Sequence, residues 1–231
     1  MKTIQFLAFS ILLSLMSFAQ DSINHTDDQG RKQGEWVKRF ENGEIRYKGQ
    51  FLNDEPVDTF RYYYPGGELL AETVHKGNGV SYTHMYHRNG KDRAIGKYLN
   101  EKRDSVWTFY KETGVLISME TYVNGEKHGL TKAFFSNGKL AERKEFVQGE
   151  ESGKWTVFYE DGNKKMEGNL EGGEWNGAFI YYFPEGGMQF RGLYNKGLKK
   201  GIWYEYNDQG KLIRKEHYKN GDLINIEEVE E

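Results

Sequence analysis

The sequence predicts an all-β protein: an elongated antiparallel β-meander of about eight stacked 24-residue β-hairpins, forming a twisted single-layer sheet. Three observations carry this expectation. A short phrase recurs in register along residues 30–222. Glycine (28 of 231 residues) and aromatic residues (16 Tyr, 14 Phe, 5 Trp) are abundant, while Pro is rare and Cys absent. Apolar residues fall at period two, as at Trp155, Val157 and Tyr159, and no helical period follows the first twenty residues.

The repeat is clearest in Gly129-Leu-Thr-Lys-Ala-Phe-Phe135-Ser-Asn-Gly138, in Gly153-Lys-Trp-Thr-Val-Phe-Tyr159-Glu-Asp-Gly162 and in Gly201-Ile-Trp-Tyr-Glu-Tyr206-Asn-Asp-Gln-Gly210. Its first position falls at Gly34, Asp58, Ser81, Ser105, Gly129, Gly153, Gly177 and Gly201; every step is 24 residues except the 23 from Asp58 to Ser81. Two residues on, six copies place a ring (Trp36, Phe60, Trp107, Trp155, Phe179, Trp203), and the other two have Thr83 and Thr131. A second glycine follows at Gly43, Gly67, Gly90, Gly114, Gly138, Gly162, Gly187 and Gly210, often after Asn or Asp. Such dipeptides suit a two-residue turn, which needs positive φ, so the chain is predicted to reverse there. A closing ring or apolar residue comes next (Phe51, Val74, Tyr98, Tyr122, Phe146, Leu170, Tyr194, Tyr218), and Gly125, Gly149, Gly173, Gly197 and Gly221 mark a return turn. One hairpin cannot bury enough surface alone, so stability is expected from ring columns that run across neighbouring hairpins. The phrase is least regular over residues 55–105.

Before the repeats, Met1-Lys2 and the apolar run from Ile4 to Phe18 read as a signal peptide, residues 1–19, with Ser17-Phe18-Ala19 offering small residues for cleavage between Ala19 and Gln20. Residues 20–29 read as a linker, and 223–231 as an acidic tail, a solvated cap that discourages strand addition at the last edge. Export without cysteine means that the fold holds without disulfides. The charge balance, 32 basic against 35 acidic residues, carries no nucleic-acid footprint, and the mature chain has no transmembrane span.

Catalytic, cofactor and metal sites are not expected. His84-Met-Tyr-His87 with His75 is the one histidine cluster, but residues three apart on a strand face opposite sides, and His87 occupies the column of Phe40, Tyr64, Phe135 and Tyr159, which marks it as a ring substitute. The regular Trp column reads as packing. The less regular tyrosines, Tyr62, Tyr63, Tyr64, Tyr181 and Tyr182, are the candidate surface-contact residues, because such runs place rings on both faces.

The pattern in Tyr122-Val-Asn-Gly125-Glu-Lys-His-Gly129, and again across Gly149 to Leu170, resembles the MORN repeat family, most closely its bacterial variant, often labelled YwqK-type antitoxins. The resemblance covers residues 30–222 and implies stacked β-hairpins that serve as a non-catalytic scaffold for protein or lipid contact. The chain has Gly-x-Trp where eukaryotic members have Gly-x-Gly, so their membrane binding is not carried over. Tyr206-Asn-Asp-Gln-Gly-Lys-Leu212 is similar, more weakly, to the tyrosine-aspartate repeats of secreted shell-forming toxins.

The expected function is an exported, periplasmic or secreted, non-catalytic repeat scaffold with a protein or glycan partner and peripheral contact with the envelope. The rivals are a carbohydrate or cell-wall module, an antitoxin-like partner binder, and a hydrolase with its site in repeats two and three, where Glu72 and His87 would act.

Overall fold

A computed structural model describes residues 23–229; the signal segment, with Ala19 and Gln20, lies outside them. The described residues hold 19 antiparallel strands in one open sheet and no helix. Eight hairpins follow one another: β2 (Lys32–Arg39) with β3 (Ile45–Leu52), β4 (Glu55–Tyr63) with β5 (Leu69–Gly77), β6 (Val80–Tyr86) with β7 (Asp92–Leu99), and β8 (Lys102–Tyr110) with β9 (Leu116–Val123). The fifth is β10 (Glu126–Lys127) and β11 (Gly129–Phe134) with β12 (Leu140–Val147). Then come β13 (Glu150–Phe158) with β14 (Lys164–Glu171), β15 (Glu174–Tyr182) with β16 (Met188–Asn195), and β17 (Leu198–Tyr206) with β18 (Leu212–Lys219). A short β1 (His25–Thr26) pairs with β2, and β19 (Asp222–Glu228) pairs with β18.

These end strands and a break at His128 account for the excess over sixteen. Strand pairing thus runs through parts of the segments read as linker and acidic tail. In β19, Ile226 stands opposite Glu216, the place that Phe179 takes opposite Gly168, so the tail begins a ninth repeat.

All nine repeat-defining glycines (Gly34, Gly43, Gly129, Gly138, Gly153, Gly162, Gly177, Gly201, Gly210) have positive φ, but the two-residue turn expected at the second glycine is not there. At Asn42-Gly43 only the glycine is left-handed, and Gly43 N–H donates to the Phe40 carbonyl at 3.0 Å: a longer loop, with Phe40 N–H donating to the Glu44 carbonyl at 2.8 Å. The two-residue turns with both φ positive lie between repeats, at Asn53-Asp54, Asn78-Gly79, Asn100-Glu101, Asn124-Gly125 and their successors. Asn and Asp reach the left-handed region through local hydrogen bonding, so the first of these does without glycine.

Directly paired residues share a face, and this sorts the side chains. With one exception, Thr156, the buried side chains lie on one face: Phe60, Ala71, Thr73, Ser81, Thr83, Ala94, Trp107, Ser118, Tyr122, Leu170, Phe179 and Trp203. The repeating unit of this ring face is a cross-strand pair of ring and glycine. A Cβ on Gly49 would sit 2.4 Å from the Phe60 ring; one on Gly96 or Gly192 would sit 2.2 Å from Trp107 or Trp203. At each of these junctions three residues of one strand face one glycine, with residues 58–60 opposite Gly49, 105–107 opposite Gly96 and 201–203 opposite Gly192. The bulge bends the strand and adds twist, and it lets the ring lie flat on bare backbone. Trp107 Nε1 then donates to the Lys97 carbonyl at 2.9 Å and Trp203 Nε1 to the Leu193 carbonyl at 3.2 Å. In the sixth repeat Lys144 stands where the glycine would be, and the buried Trp155 Nε1 finds no partner.

A single sheet needs a cover for its rings, and long side chains supply it. Two residues before the first position of each copy stand Lys32, Pro56, Gly79, Arg103, Lys127, Glu151, Trp175 and Lys199. Lys32 Nζ lies 4.7 Å from the Phe51 ring centre, Arg103 Cζ 4.9 Å from that of Trp107, and Lys199 Nζ 4.4 Å from that of Trp203. Trp175 instead stacks on Trp155 at 5.0 Å. A cation over a ring contributes about 0.5–2 kcal/mol. With Tyr98, Phe109 and Arg103 around it, Trp107 has 0% of its surface exposed.

Candidate binding site

The third repeat breaks the ring face in three ways at once. Its ring position is Thr83, the residue opposite is Thr73 where four other junctions have Gly49, Gly96, Gly168 and Gly192, and its covering position is Gly79. Its junction also lacks the bulge that carries a ring: Ser81 has no positive φ, His75 pairs with Ser81 and Gly77 with Val80, and only Lys76 is left over. The fifth repeat, which also lacks a ring, keeps its cover, because Lys127 spans to Glu120 at 3.3 Å.

The result is a trough of about 1150 Å³ over β4–β7. Its floor is made by Ala71, Thr73, Ser81 and Thr83, and the Thr73 and Thr83 hydroxyls share a hydrogen bond of 3.0 Å. Tyr62, His75, Met85 and Tyr98 form the walls; Glu55, Arg93, Asn100 and Glu101 stand at the margin. His75 meets Phe60 edge-on at 5.2 Å, and its Nε2 is buried without a hydrogen-bond partner. Burial pushes the His75 pKa down, which keeps the ring neutral at neutral pH.

The opposite face of the same repeats carries a polar chain. Arg61 Nε donates to Glu72 at 2.7 Å, Tyr86 and His84 Nδ1 are 3.0 Å apart, and His84 Nε2 lies 2.7 Å from Asp92. A carboxylate, an imidazole and a hydroxyl in line invite comparison with nucleophilic catalysis, but burial and the Glu72 and Asp92 charges push the Tyr86 phenol up, so it holds its proton. His87 Nε2 lies 3.0 Å from the Tyr110 carbonyl, in the role that the hydroxyls of Tyr64 and Tyr159 play toward the carbonyls of Tyr86 and Tyr182. Among the described residues no three His, Asp or Glu side chains group as a metal site.

Of the five candidate tyrosines, all half-buried, one lines the trough: Tyr62, packed 5.9 Å from Tyr47. Tyr64 lies under Arg88, with Cζ 4.5 Å from its ring centre, and Tyr63 is the last residue of β4, the strand that also carries Tyr62. Tyr181 stacks on Phe190 at 4.9 Å. Tyr182 donates to Glu167 at 2.7 Å; burial, then this bond, pushes its pKa up to about 12. Burial opposes ionisation of Glu167, yet hydrogen bonds from Tyr182, Lys164 and Lys154 outweigh it and hold its pKa at about 2.

Sequence reasoning singled out Ser81 and Thr83 as irregular and missed Thr73 and Gly79. The spacing of the regular copies, eleven positions from Gly96 to Trp107, does not find Thr73, which stands ten before Thr83; strand register alone joins them.

Comparison with known families places the MORN repeat variant on residues 32–53, 103–124, 127–148, 151–171 and 199–220. The third repeat, which carries the trough, lies between the first two matches. No curated protein matches the chain. Among solved structures, TarM is similar at 13% identity over 41% of this chain and 19% of that one, with a TM-score of 0.30. The TcdB2-TccC3-Cdc42 complex is similar at 14% identity over 81% of this chain and 12% of that one, TM-score 0.23. The Tc holotoxin pore of Photorhabdus luminescens is similar at 14% identity over 80% and 12%, TM-score 0.24. The chain spans less than a fifth of the length of each of these.

Proposed function

Because this chain belongs to the MORN repeat variant family, we propose that it acts as a non-catalytic, extracytoplasmic binding scaffold, which holds its partner on the ring face at repeats two and three. The observation that carries this reading is the trough: one repeat gives up ring, opposing glycine and cover together, and an array that needs rings for stability gains nothing structural from that loss. Concave sites of mixed apolar and polar lining are where ligands are held. In the polar chain on the other face the Tyr86 hydroxyl is held protonated by burial and by the Glu72 and Asp92 charges, which supports the non-catalytic reading. Export rests on the leader-like residues 1–19, and among the described residues no helix is long and apolar enough to cross a membrane.

The test is capture from the native envelope by the tagged full-length chain, alongside a double variant, Thr73→Gly with Thr83→Trp, which rebuilds the Gly96–Trp107 arrangement inside the trough. A partner held by the wild type and released by the variant supports the reading; a partner held equally by both contradicts the assignment to the trough. Sequencing of the mature N-terminus is expected to begin at Gln20, and an intact Met1 in the envelope fraction would contradict cleavage.

A further inference from the structure

We propose that the sheet face opposite the rings is where a second copy of this chain packs, back to back, about a two-fold axis that runs along β8 through Val106 and Thr108. The ring face and its trough stay free in such a dimer, so this reading stands or falls apart from the one above.

On the back of the sheet one row of side chains crosses the strands. At its centre Ile95, Thr108 and Met119 stand opposite one another on β7, β8 and β9, and none is charged. Lys132 and Arg143 follow on β11 and β12, while His84 and Glu72 follow on the other side, on β6 and β5. Two residues from members of this row, and so on the same face, lie Tyr82, Val106 and Leu130, which are 51%, 47% and 38% exposed. An apolar window thus opens in a face that is charged on either side of it.

The two sides carry opposite charge. Lys132 and Arg143 are half-buried and directly opposed, a like-charge pair that costs stability. Among the described residues neither meets a carboxylate: Glu120 is taken by Lys127, Glu142 by Lys144, and Glu145 accepts from the Lys154 N–H at 3.3 Å. On the other side Glu72 lies 2.7 Å from Arg61, and Asp92 lies 2.7 Å from His84.

Rotation about β8 brings these sides together. Thr108 then faces Thr108, Val106 faces Val106, Ile95 faces Met119 and Tyr82 faces Leu130, so apolar groups meet apolar groups. Arg143 faces Glu72 of the other copy, and Lys132 faces His84 with its Asp92. Other axes fail on charge. One that crosses the strands lays Lys132 on Lys132 and Arg143 on Arg143; one shifted to β7 sets Lys132 against Arg61, and one shifted to β9 buries Arg143 on Ile95. The seven long strands from β5 to β12 offer a face of roughly 34 Å by 25 Å, about 850 Å² per copy, which is the size of a standard interface. Packed so, two single-layer sheets become a sandwich, each supplying the other's second layer.

The experiment is sedimentation equilibrium of the full chain up to about 100 μM, where a micromolar dimer is nearly all assembled. Twice the mass of one chain is expected. Val106→Arg and Val106→Glu each set like charges face to face on the axis and should weaken the dimer at least tenfold; mixed in equal amounts they should dimerise again, because Arg then faces Glu. Arg143→Glu, away from the axis, should weaken it severalfold. Circular dichroism melting identifies a variant that fails to fold, and Thr108→Arg with Thr108→Glu, the other residue on the axis, then carries the mixing test. A chain that stays monomeric overturns the proposal, whatever else covers this face. So does a dimer that the Val106 variants leave intact, or a mixture of the two that does not reassemble.

Discussion

The indole of Trp107 lies on the bare backbone of Gly96, so close that a Cβ there would be 2.2 Å from the ring. Gly96 has ordinary negative-φ backbone, so what forbids a side chain at this position is the ring alone. The same relation joins Phe60 to Gly49 and Trp203 to Gly192, and it explains how a sheet with no second layer makes a core: each repeat lays a ring on its predecessor, and a long side chain closes over it.

The turn geometry gives opposite outcomes for two glycines of one repeat. Gly172, at φ +59, occupies the first place of a two-residue turn where other copies have Asn53, Asn78, Asn100, Asn124 and Asn220. Gly172→Asn is therefore expected to stabilise by about 0.4–1 kcal/mol, through loss of unfolded-state freedom. Gly162, at φ +105, lies beyond the region that Asn tolerates, and Gly162→Val is expected to cost about 1–3 kcal/mol. Urea unfolding of the two variants against the parent checks both signs.

Acid sensitivity is expected around Glu167. Its pKa is held at about 2 in the fold, below its ordinary 4.5, so the unfolded chain takes up the proton first as pH falls. The stabilisation is complete above pH 4.5 and is lost between there and pH 2. Glu167→Gln should melt below the parent at pH 7, and the gap should narrow through this window; thermal melts at stepped pH measure it.

Covering residues are expected to protect the rings. Arg103→Gly copies the third repeat's Gly79 and should expose Trp107, with a loss of about 0.5–2 kcal/mol. Fluorine NMR of fluorotryptophan-labelled protein reads the exposure directly, as a solvent-induced shift of the Trp107 resonance and of no other.

The sequence made the period, the strand-turn-strand unit and the left-handed glycines legible, because each is a local constraint on backbone. It mistook which turn is the two-residue one, since Asn-Gly suits both a two-residue turn and a longer loop that ends in a left-handed glycine, and Asn53-Asp54 shows that the tight turn does without glycine. Ser81 and Thr83 were visible as departures. Their meaning was not, because the trough depends on Thr73 and Gly79, which join them only through strand register. The candidate tyrosines were chosen as runs of rings; four of the five lie outside the trough, held by neighbours such as Glu167 and Phe190.

The most direct test is a double-mutant cycle on Gly96→Ala and Trp107→Thr, measured by equilibrium unfolding. In the wild type, Gly96→Ala should cost about 1–3 kcal/mol by overpacking. Once Trp107→Thr has removed the ring, the same methyl should cost close to nothing, which leaves a coupling of nearly the full amount. Equal costs in the two backgrounds would contradict the account, because the glycine would then serve the backbone and not the ring laid upon it.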